Sequence, residues 1–341
     1  MQYPELLENA IDEIEYGRYQ EALSLLSRFT AEHPEAIDDA FRADVRALEL
    51  LIKYRQELQE WDYFRSLKLV YRYFEKAYLP ELESGGFVTG HDAPDLPDTI
   101  WWCWLQGLDA APDVVRACYA SLKKLNRPIQ IITAENYAEF ATLPAHIVEK
   151  WREGIISNAH FADALRLELL TTHGGIWIDA TVYCTDATAF EAMIRDTPLF
   201  CYAYVMHDAT RDYILYGNWL IRASAASRIL QETKYLLYRY WEKENSLMNY
   251  FIFHLFFSIA CRRNEAERSQ IPTYSDAPCH IMQMELAHPY DPSRFAQLCA
   301  MTPIHKLTYR YHESATDEGT VLRHILGDAF TSSGACDTIC S

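Results

Sequence analysis

The chain has 341 residues, which is enough to bury a full hydrophobic core in one large domain or two. Half of the residues are hydrophobic and 13% are aromatic, a composition that excludes an intrinsically disordered chain. The formal net charge of −17 argues against nucleic acid or an anionic membrane as a general partner. A ligand that carries phosphate therefore needs a local cluster of positive charge or a bound cation.

The cysteines and the hydropathy pattern indicate the cellular compartment of the protein. Nine cysteines are present, without the paired C-x-x-C spacing of a zinc site, so we expect free thiols in a reducing compartment. The first residues are acidic and lack the apolar region of a signal peptide. The longest apolar run, residues 250–261, is too short to cross a membrane. These features predict a cytoplasmic protein, either free or held peripherally at the inner face of the membrane.

Residues 1–80 are predicted to form an all-helical arm. The spacing of Gly17, Tyr19, Ala22 and Pro34 resembles a tetratricopeptide helix–turn–helix. Only one such repeat is visible, whereas a free-standing solenoid needs about three. Two further helices are predicted near 36–59 and 61–78. The arm is expected to serve self-association or a protein partner rather than catalysis.

A linker is predicted over 81–95, where glycine and proline interrupt the helical pattern. Beyond it, 96–107 is predicted to be the first strand and its turn, 111–125 an amphipathic helix and 128–133 a second strand. This strand–helix–strand alternation predicts a parallel sheet. The second domain is expected to extend over 96–330, followed by a short tail, 331–341.

The stretch 158–179 carries the most specific pattern. Its first half has helical spacing and places Asp163 and Arg166 three residues apart, on one side of a helix. Gly174 is predicted to end that helix, and a short apolar strand follows and stops at Asp179. Ligands of α/β sheets bind where such strands end. Two simpler interpretations stay open: Asp163 and Arg166 as a surface ion pair, and Asp179 as a turn or capping residue.

The remaining segments continue the α/β pattern. A helical turn is predicted near 188–195, a strand over 199–203, and long helices over 228–244 and 247–262. Asn218 lies in the apolar stretch 215–221. One interpretation is that it is a turn residue at the end of a strand. The stretch 303–309 contains His305 and Lys306, which could also be an ordinary exposed pair.

At these residues the sequence resembles glycosyltransferase family 32, and within it the capsular polysaccharide synthesis proteins. The family pattern is matched by the D-A-L-R of 163–166 and by the G-G-I-W-I-D of 174–179. The resemblance extends from about residue 96 to about residue 311. It implies a GT-A-like, Rossmann-like α/β fold with a mostly parallel sheet flanked by helices, here carrying the all-helical N-terminal arm. The implied activity is transfer of a sugar from a nucleotide-sugar donor to a glycan or lipid-linked glycan acceptor, with retention of configuration.

The resemblance also assigns roles to single residues. It implies that Trp104 stacks on the nucleobase of the donor and that Asn218 faces the donor sugar. Asp163 can accept hydrogen bonds from sugar hydroxyls and Arg166 can donate to them. The predicted catalytic residues are Asp179 and Asn218, and the predicted substrate-binding residues are Trp104, Asp163, Arg166, Trp177, Asn218, His305 and Lys306.

The expected cofactor is a divalent cation, Mn²⁺ or Mg²⁺, with Asp179 as its protein ligand. Related families have D-x-D here, whereas this chain has Asp179, Ala180 and Thr181. We therefore expect the protein alone to hold a metal weakly, with the diphosphate as the main ligand. His305 and Lys306 are the residues expected to supply further positive charge to the phosphates.

Two other functional classes stay open. A donor-binding pseudoenzyme that acts as a partner subunit is compatible with Thr181 and with the helical arm. A sugar nucleotidyltransferase is the less favoured alternative, because the glycine-rich phosphate loop expected after its first strand is absent from the sequence.

Overall fold

The computed structural model describes residues 3–15, 18–34, 37–83, 98–195, 197–204 and 213–333. The chain forms two compact units, Met1–Lys68 and Leu69–Ser341. Most of the predicted glycine-containing linker and the last eight residues of the predicted tail lie outside the described residues.

The first unit contains helices α1 (Tyr3–Glu15), α2 (Tyr19–Glu32) and the first part of α3 (Asp39–Glu83). Leu6, Ala10 and Ile14 recur at helical spacing along α1, and all three are buried. They share a hydrophobic core with residues of α2, such as Leu26 and Phe29. The prediction of an N-terminal helical region is therefore confirmed for the described residues.

The prediction of two separate helices near 36–59 and 61–78 is wrong. A single helix of 45 residues, α3, occupies this region and continues through Pro80. The physical reason is that no glycine or proline lies between Asp39 and Leu79, so nothing in the backbone ends the helix earlier. Pro80 lies only three residues before the end of the helix, so only its last turn follows the proline.

The boundary between the units also differs from the predicted one at 81–95. The last part of α3 packs within the second unit, because it carries aromatic side chains that are buried there. The ring of Phe74 stacks on Phe256 with centroids 4.3 Å apart. Further along the helix, the Arg239 Nε donates to Glu81 at 2.8 Å. The compact second unit therefore begins at Leu69, and residues 69–83 belong to it rather than to the arm.

The second unit contains all seven strands that the structure describes. They are β1 (Ile100–Cys103), β2 (Ile129–Ile132), β3 (Gly175–Ile178), β4 (Val182–Cys184), β5 (Leu199–Ala203), β6 (Tyr216–Ala223) and β7 (Ile304–Lys306). Five of them form the central sheet in the order β2-β1-β3-β6-β5, and β4 pairs with β7. β1 is parallel to β2 and β3, whereas β6 is antiparallel to β3 and β5. Four strands therefore run in one direction, and the prediction of a mostly parallel sheet is confirmed.

Helices flank this sheet and account for most of the rest of the unit. They are α4 (Asp113–Leu122), α5 (Tyr137–Phe140), α6 (Ala145–Arg152), α7 (Asn158–His173), α8 (Ala187–Ile194), α9 (Arg228–Lys243), α10 (Ile252–Arg263), α11 (Glu265–Arg268), α12 (Ile281–Met284), α13 (Pro292–Met301) and α14 (Val321–Ser333). The predicted helices and strands are present with small shifts of their ends. The largest shift is at α10, which begins at Ile252 rather than at residue 247. Within the described residues, no helix is long and apolar enough to cross a membrane.

The connection from α7 to β3 fixes the geometry of the central sequence motif. Ser157 caps the start of α7 by accepting from the backbone N–H of His160. Gly174 and Gly175 end the helix with φ angles of 67° and 101°, a region that favours glycine. The chain then enters β3 beside β1, where Trp101 and Trp102 are buried. Asp179 consequently lies at the carboxyl end of a central strand.

Candidate active site

A pocket of about 450 Å³ opens at the carboxyl ends of β1 and β3. The start of α7 and the first half of β6 form its sides, because both run opposite to the parallel strands. All of the predicted site residues except His305 line this pocket. They are Trp104, Asp163, Arg166, Trp177, Asp179, Asn218 and Lys306. The fold thus brings residues that are far apart in the sequence to one place.

Arg166 joins the two carboxylates of the site. One guanidinium nitrogen donates to Asp163 Oδ1 at 2.8 Å, and the other donates to Asp179 Oδ1 at 3.0 Å. Only 4% of the Arg166 side chain is exposed, so the interpretation of a surface ion pair is wrong. Its guanidinium lies against two aromatic rings, 4.7 Å from the Trp177 ring centre and 5.3 Å from that of Phe253. Arg166 is therefore held in place in the wall of the pocket.

Asp179 receives hydrogen bonds at both of its oxygens. Besides Arg166, the indole N–H of Trp177 donates to Oδ1 at 2.8 Å, and the ammonium of Lys306 donates to Oδ2 at 2.7 Å. Burial raises the pKa of Asp179, but the nearby Lys306 and Arg166 lower it by more, so the pKa lies below its usual value. Asp179 is therefore an ionised carboxylate that organises two cations. Trp177 is buried and supports this carboxylate rather than forming an open surface.

Asp163 lies deeper in the pocket wall and has a different environment. Its Oδ1 accepts from Arg166 and also from the amide of Asn218 at 2.9 Å. Burial raises the pKa of Asp163 above its usual value, although Arg166 and His160 act in the opposite direction. Asn218 is therefore no isolated turn residue, because its side chain is oriented by one of the two site carboxylates.

An aromatic pair lies at the end of β1. The rings of Trp104 and Tyr309 meet edge to face, with centroids 5.4 Å apart and an angle of 86°. Tyr309 is 42% exposed and was not predicted as a site residue. The signal that could have found it is its position three residues after Lys306, in the same sequence motif. Exposed aromatic faces of this kind suit stacking against a planar ring.

The pocket is also lined by residues that the sequence did not assign to the site. His160, Tyr250 and His254 all line it. Burial lowers the pKa of His254 to about 3, so this imidazole is neutral near pH 7. Its Nδ1 has no hydrogen-bond partner among the described residues. Cys103 also lines the pocket, but burial raises the pKa of its thiol to about 12, so it is not a thiolate nucleophile.

His305 lies apart from the pocket. The prediction that it contacts the substrate is therefore wrong. It precedes Lys306 on β7, so the two side chains point to opposite faces of the strand. The His305 side chain is fully buried, and its Nε2 lies 3.2 Å from the hydroxyl of Thr185. Burial lowers its pKa to about 4, so it contributes no positive charge near pH 7.

The buried position of His305 predicts a measurable acid sensitivity. A histidine in the unfolded chain titrates near pH 6.5, whereas folded His305 titrates near pH 4. Between pH 7 and pH 5 the unfolded state therefore binds an extra proton, and the free energy of unfolding falls as the pH falls. His305→Gln is expected to reduce this loss by about 2 kcal/mol. Urea unfolding at pH 7 and pH 5 measures this loss of unfolding free energy. The control is His288→Gln, which replaces an exposed histidine. A pH dependence in His305→Gln equal to that of the wild type would contradict the lowered pKa of His305.

The side chains around Asp179 are occupied in ways that bear on the expected divalent cation. Both carboxylate oxygens of Asp179 already accept from cationic or indole donors, and the Thr181 hydroxyl accepts from Lys306 at 2.9 Å. In the part of the chain that the structure describes, no three His, Cys, Asp or Glu side chains are grouped to hold a metal ion. These residues do not fit a divalent cation held by the protein.

Fold and site together define an α/β protein whose ligand pocket lies where parallel strands end, with two carboxylates and two cations at its base. The chain belongs to the capsular polysaccharide synthesis protein family, whose model matches residues 51–325. A search among curated proteins found no match. Membership in this family indicates a glycosyltransferase-like role in polysaccharide synthesis.

Proposed function

We propose that the protein is a glycosyltransferase that moves a sugar from a nucleotide-sugar donor to a glycan or lipid-linked glycan acceptor during synthesis of a surface polysaccharide. The observation that carries this proposal is the convergence of Asp163, Arg166, Asp179, Asn218 and Lys306 in one pocket at the strand ends. The proposed fold type is GT-A-like. The strand order, with a single antiparallel strand beside β3, supports this assignment.

The pocket offers suitable chemistry for each part of the donor. The nucleobase is proposed to stack on Trp104, with Tyr309 beside it at the exposed side. The sugar hydroxyls are proposed to bind at Asp163 and Asn218, since a carboxyl oxygen accepts and an amide both accepts and donates. The diphosphate is proposed to lie next to Lys306, which carries the positive charge nearest to the open part of the pocket.

The reaction breaks the bond between the anomeric carbon of the sugar and the diphosphate oxygen. The bonding electrons leave with the nucleoside diphosphate, and an acceptor hydroxyl oxygen forms the new bond to the anomeric carbon. The hydroxyl proton is released to solvent, so atoms and charge balance. Retention of configuration is proposed from the family resemblance alone. The site residues bind and orient the two reactants and stabilise the charge that develops on the diphosphate.

A screen of nucleotide sugars tests this function. UDP- and GDP-linked hexoses at about 100 times their dissociation constant are expected to raise the unfolding temperature by about 2 °C or more. Release of nucleoside diphosphate upon addition of glycan acceptors then reports transfer. Absence of any stabilisation across the screen would contradict the proposal. Donor binding without turnover would favour a pseudoenzyme that acts as a partner subunit, for which the first unit, Met1–Lys68, is the proposed contact surface.

A further inference from the structure

The backbone fixes Lys306 at the end of a two-stranded sheet. In the pairing of β4 with β7, Val182 lies opposite Lys306, and the backbone N–H of Leu307 donates to the carbonyl of Thr181 at 2.8 Å. This register directs the lysine back toward the loop that connects β3 to β4. Its Nζ lies 2.7 Å from Asp179 Oδ2 and 2.9 Å from Thr181 Oγ1. The ammonium thus lies between the first and third residues of the D-A-T sequence.

We propose that the Lys306 ammonium is the resident cation of this site and neutralises the leaving diphosphate where a D-x-D site would use a divalent metal ion. The inference rests on the proposed glycosyltransferase function and adds that binding of the diphosphate needs no metal. Lys306 is a binding and charge-stabilising residue in this assignment, while Asp179 and Thr181 position it.

A D-x-D site with its metal ion and the group of Asp179, Thr181 and Lys306 have the same net charge. Two carboxylates and a divalent cation sum to zero, and so do the Asp179 carboxylate, the neutral Thr181 hydroxyl and the Lys306 ammonium. The threonine in place of the second acid and the lysine therefore balance each other in charge, because either one alone would leave the site with one unbalanced charge. Without Lys306, the group formed with Asp163 and Arg166 would present a net negative charge to an incoming diphosphate.

The geometry leaves Lys306 able to bind a phosphate oxygen. An ammonium has three N–H donors, and two of them are used by Asp179 and Thr181. The third has no partner among the described residues, and the side chain is 19% exposed and lines the pocket. Hydrogen bonds between an ammonium and phosphate oxygens are charge-assisted and strong in such a half-buried place.

Calorimetric titration of the full chain with UDP and, in parallel, with GDP tests the proposal. The wild-type dissociation constant for the nucleotide that binds is expected to agree within about 3-fold in excess EDTA and in Mn²⁺. In EDTA, Lys306→Met is expected to weaken binding by about 10- to 100-fold, since it removes a charge-assisted bond but keeps the side-chain length. The control Lys124→Met removes an exposed lysine outside the pocket and should leave the affinity unchanged. A double variant, Thr181→Asp with Lys306→Ala, is expected to bind the nucleotide only when Mn²⁺ is present.

The outcomes separate this inference from the proposed function. Wild-type binding that occurs in Mn²⁺ and is lost in EDTA would overturn the role of Lys306 and leave the glycosyltransferase proposal standing. Wild-type affinity retained by Lys306→Met in EDTA would overturn it as well. No nucleotide binding by the wild type under either condition would overturn both. The comparison of EDTA with Mn²⁺ uses the unmodified chain, so it holds even where a variant folds poorly.

Discussion

Asp179→Asn is expected to lower the rate of sugar transfer by at least about 100-fold, the size of effect seen when one preorganised electrostatic group is removed. The carboxylate is the common acceptor for Arg166, Trp177 and Lys306. An asparagine has one acceptor oxygen instead of two, and its NH₂ group would point a donor at one of the two cations. Arg166 and Lys306 would then lose their fixed positions, and the pocket would gain a net positive charge.

The variant is expected to remain folded, because Asp179 is 24% exposed at its side chain and lies at a strand end rather than in the core. A loss of about 1–3 kcal/mol in unfolding free energy is expected from the broken charge-assisted bonds. Transfer assays and circular dichroism separate the two effects. The matched control is Asp186→Asn, which makes the same change at the N-cap of α8, where asparagine caps equally well. Transfer within a few-fold of wild type in Asp179→Asn would contradict the role of this carboxylate.

The local part of the site could be predicted from the sequence. The i, i+3 spacing of Asp163 and Arg166 on a helix and the glycines at its end determine where the chain turns into β3. Asp179 then follows at the end of a buried four-residue strand. All of these features lie within about 20 residues, so helix periodicity and the conformational preference of glycine were sufficient to predict them.

Contacts between distant segments could not be predicted in this way. Lys306 reaches Asp179 from 127 positions further along the chain, so its sequence motif identifies the residue but not its geometry. The choice between His305 and Lys306 depends on the register of β7 against β4, since a shift by one residue exchanges the two faces of a strand. The contact of Tyr309 with Trp104 also joins segments that are far apart in the chain, so helix and strand periodicity could not predict it.

The helical region shows a second limit. The sequence between Asp39 and Leu79 lacks glycine and proline, so it is compatible with one long helix as well as with the two that the pattern predicts. The division between the units depends on where Phe74 and its neighbouring aromatic residues are buried. Phe74 is fully buried against Phe256, which lies on α10, far away in the sequence. Helix propensity carries no information about such a partner.

Arg166→Lys is the second change with a large expected effect, because it keeps the charge and removes only the shape of the side chain. The guanidinium donates to Asp163 and Asp179 through two different nitrogens and lies over the Trp177 ring, 4.7 Å from its centre. A lysine has a single ammonium centre that cannot reproduce this fork or the stacking. We expect kcat/KM to fall by at least about 100-fold and the unfolding free energy to fall by about 1–3 kcal/mol, since a buried carboxylate loses a partner.

The chain contains a matched control for this substitution. Asp113 and Arg116 have the same i, i+3 spacing on α4 and form an ion pair, but the arginine side chain is 41% exposed. Arg116→Lys is therefore expected to change kcat/KM by less than about 2-fold and stability by at most about 0.5 kcal/mol. Equal and small effects of the two substitutions on turnover would show that the fork of Arg166 is not needed for the reaction. A large effect confined to Arg166 would identify the bridge between the two carboxylates as the element that keeps Asp179 and Lys306 in place beside the diphosphate.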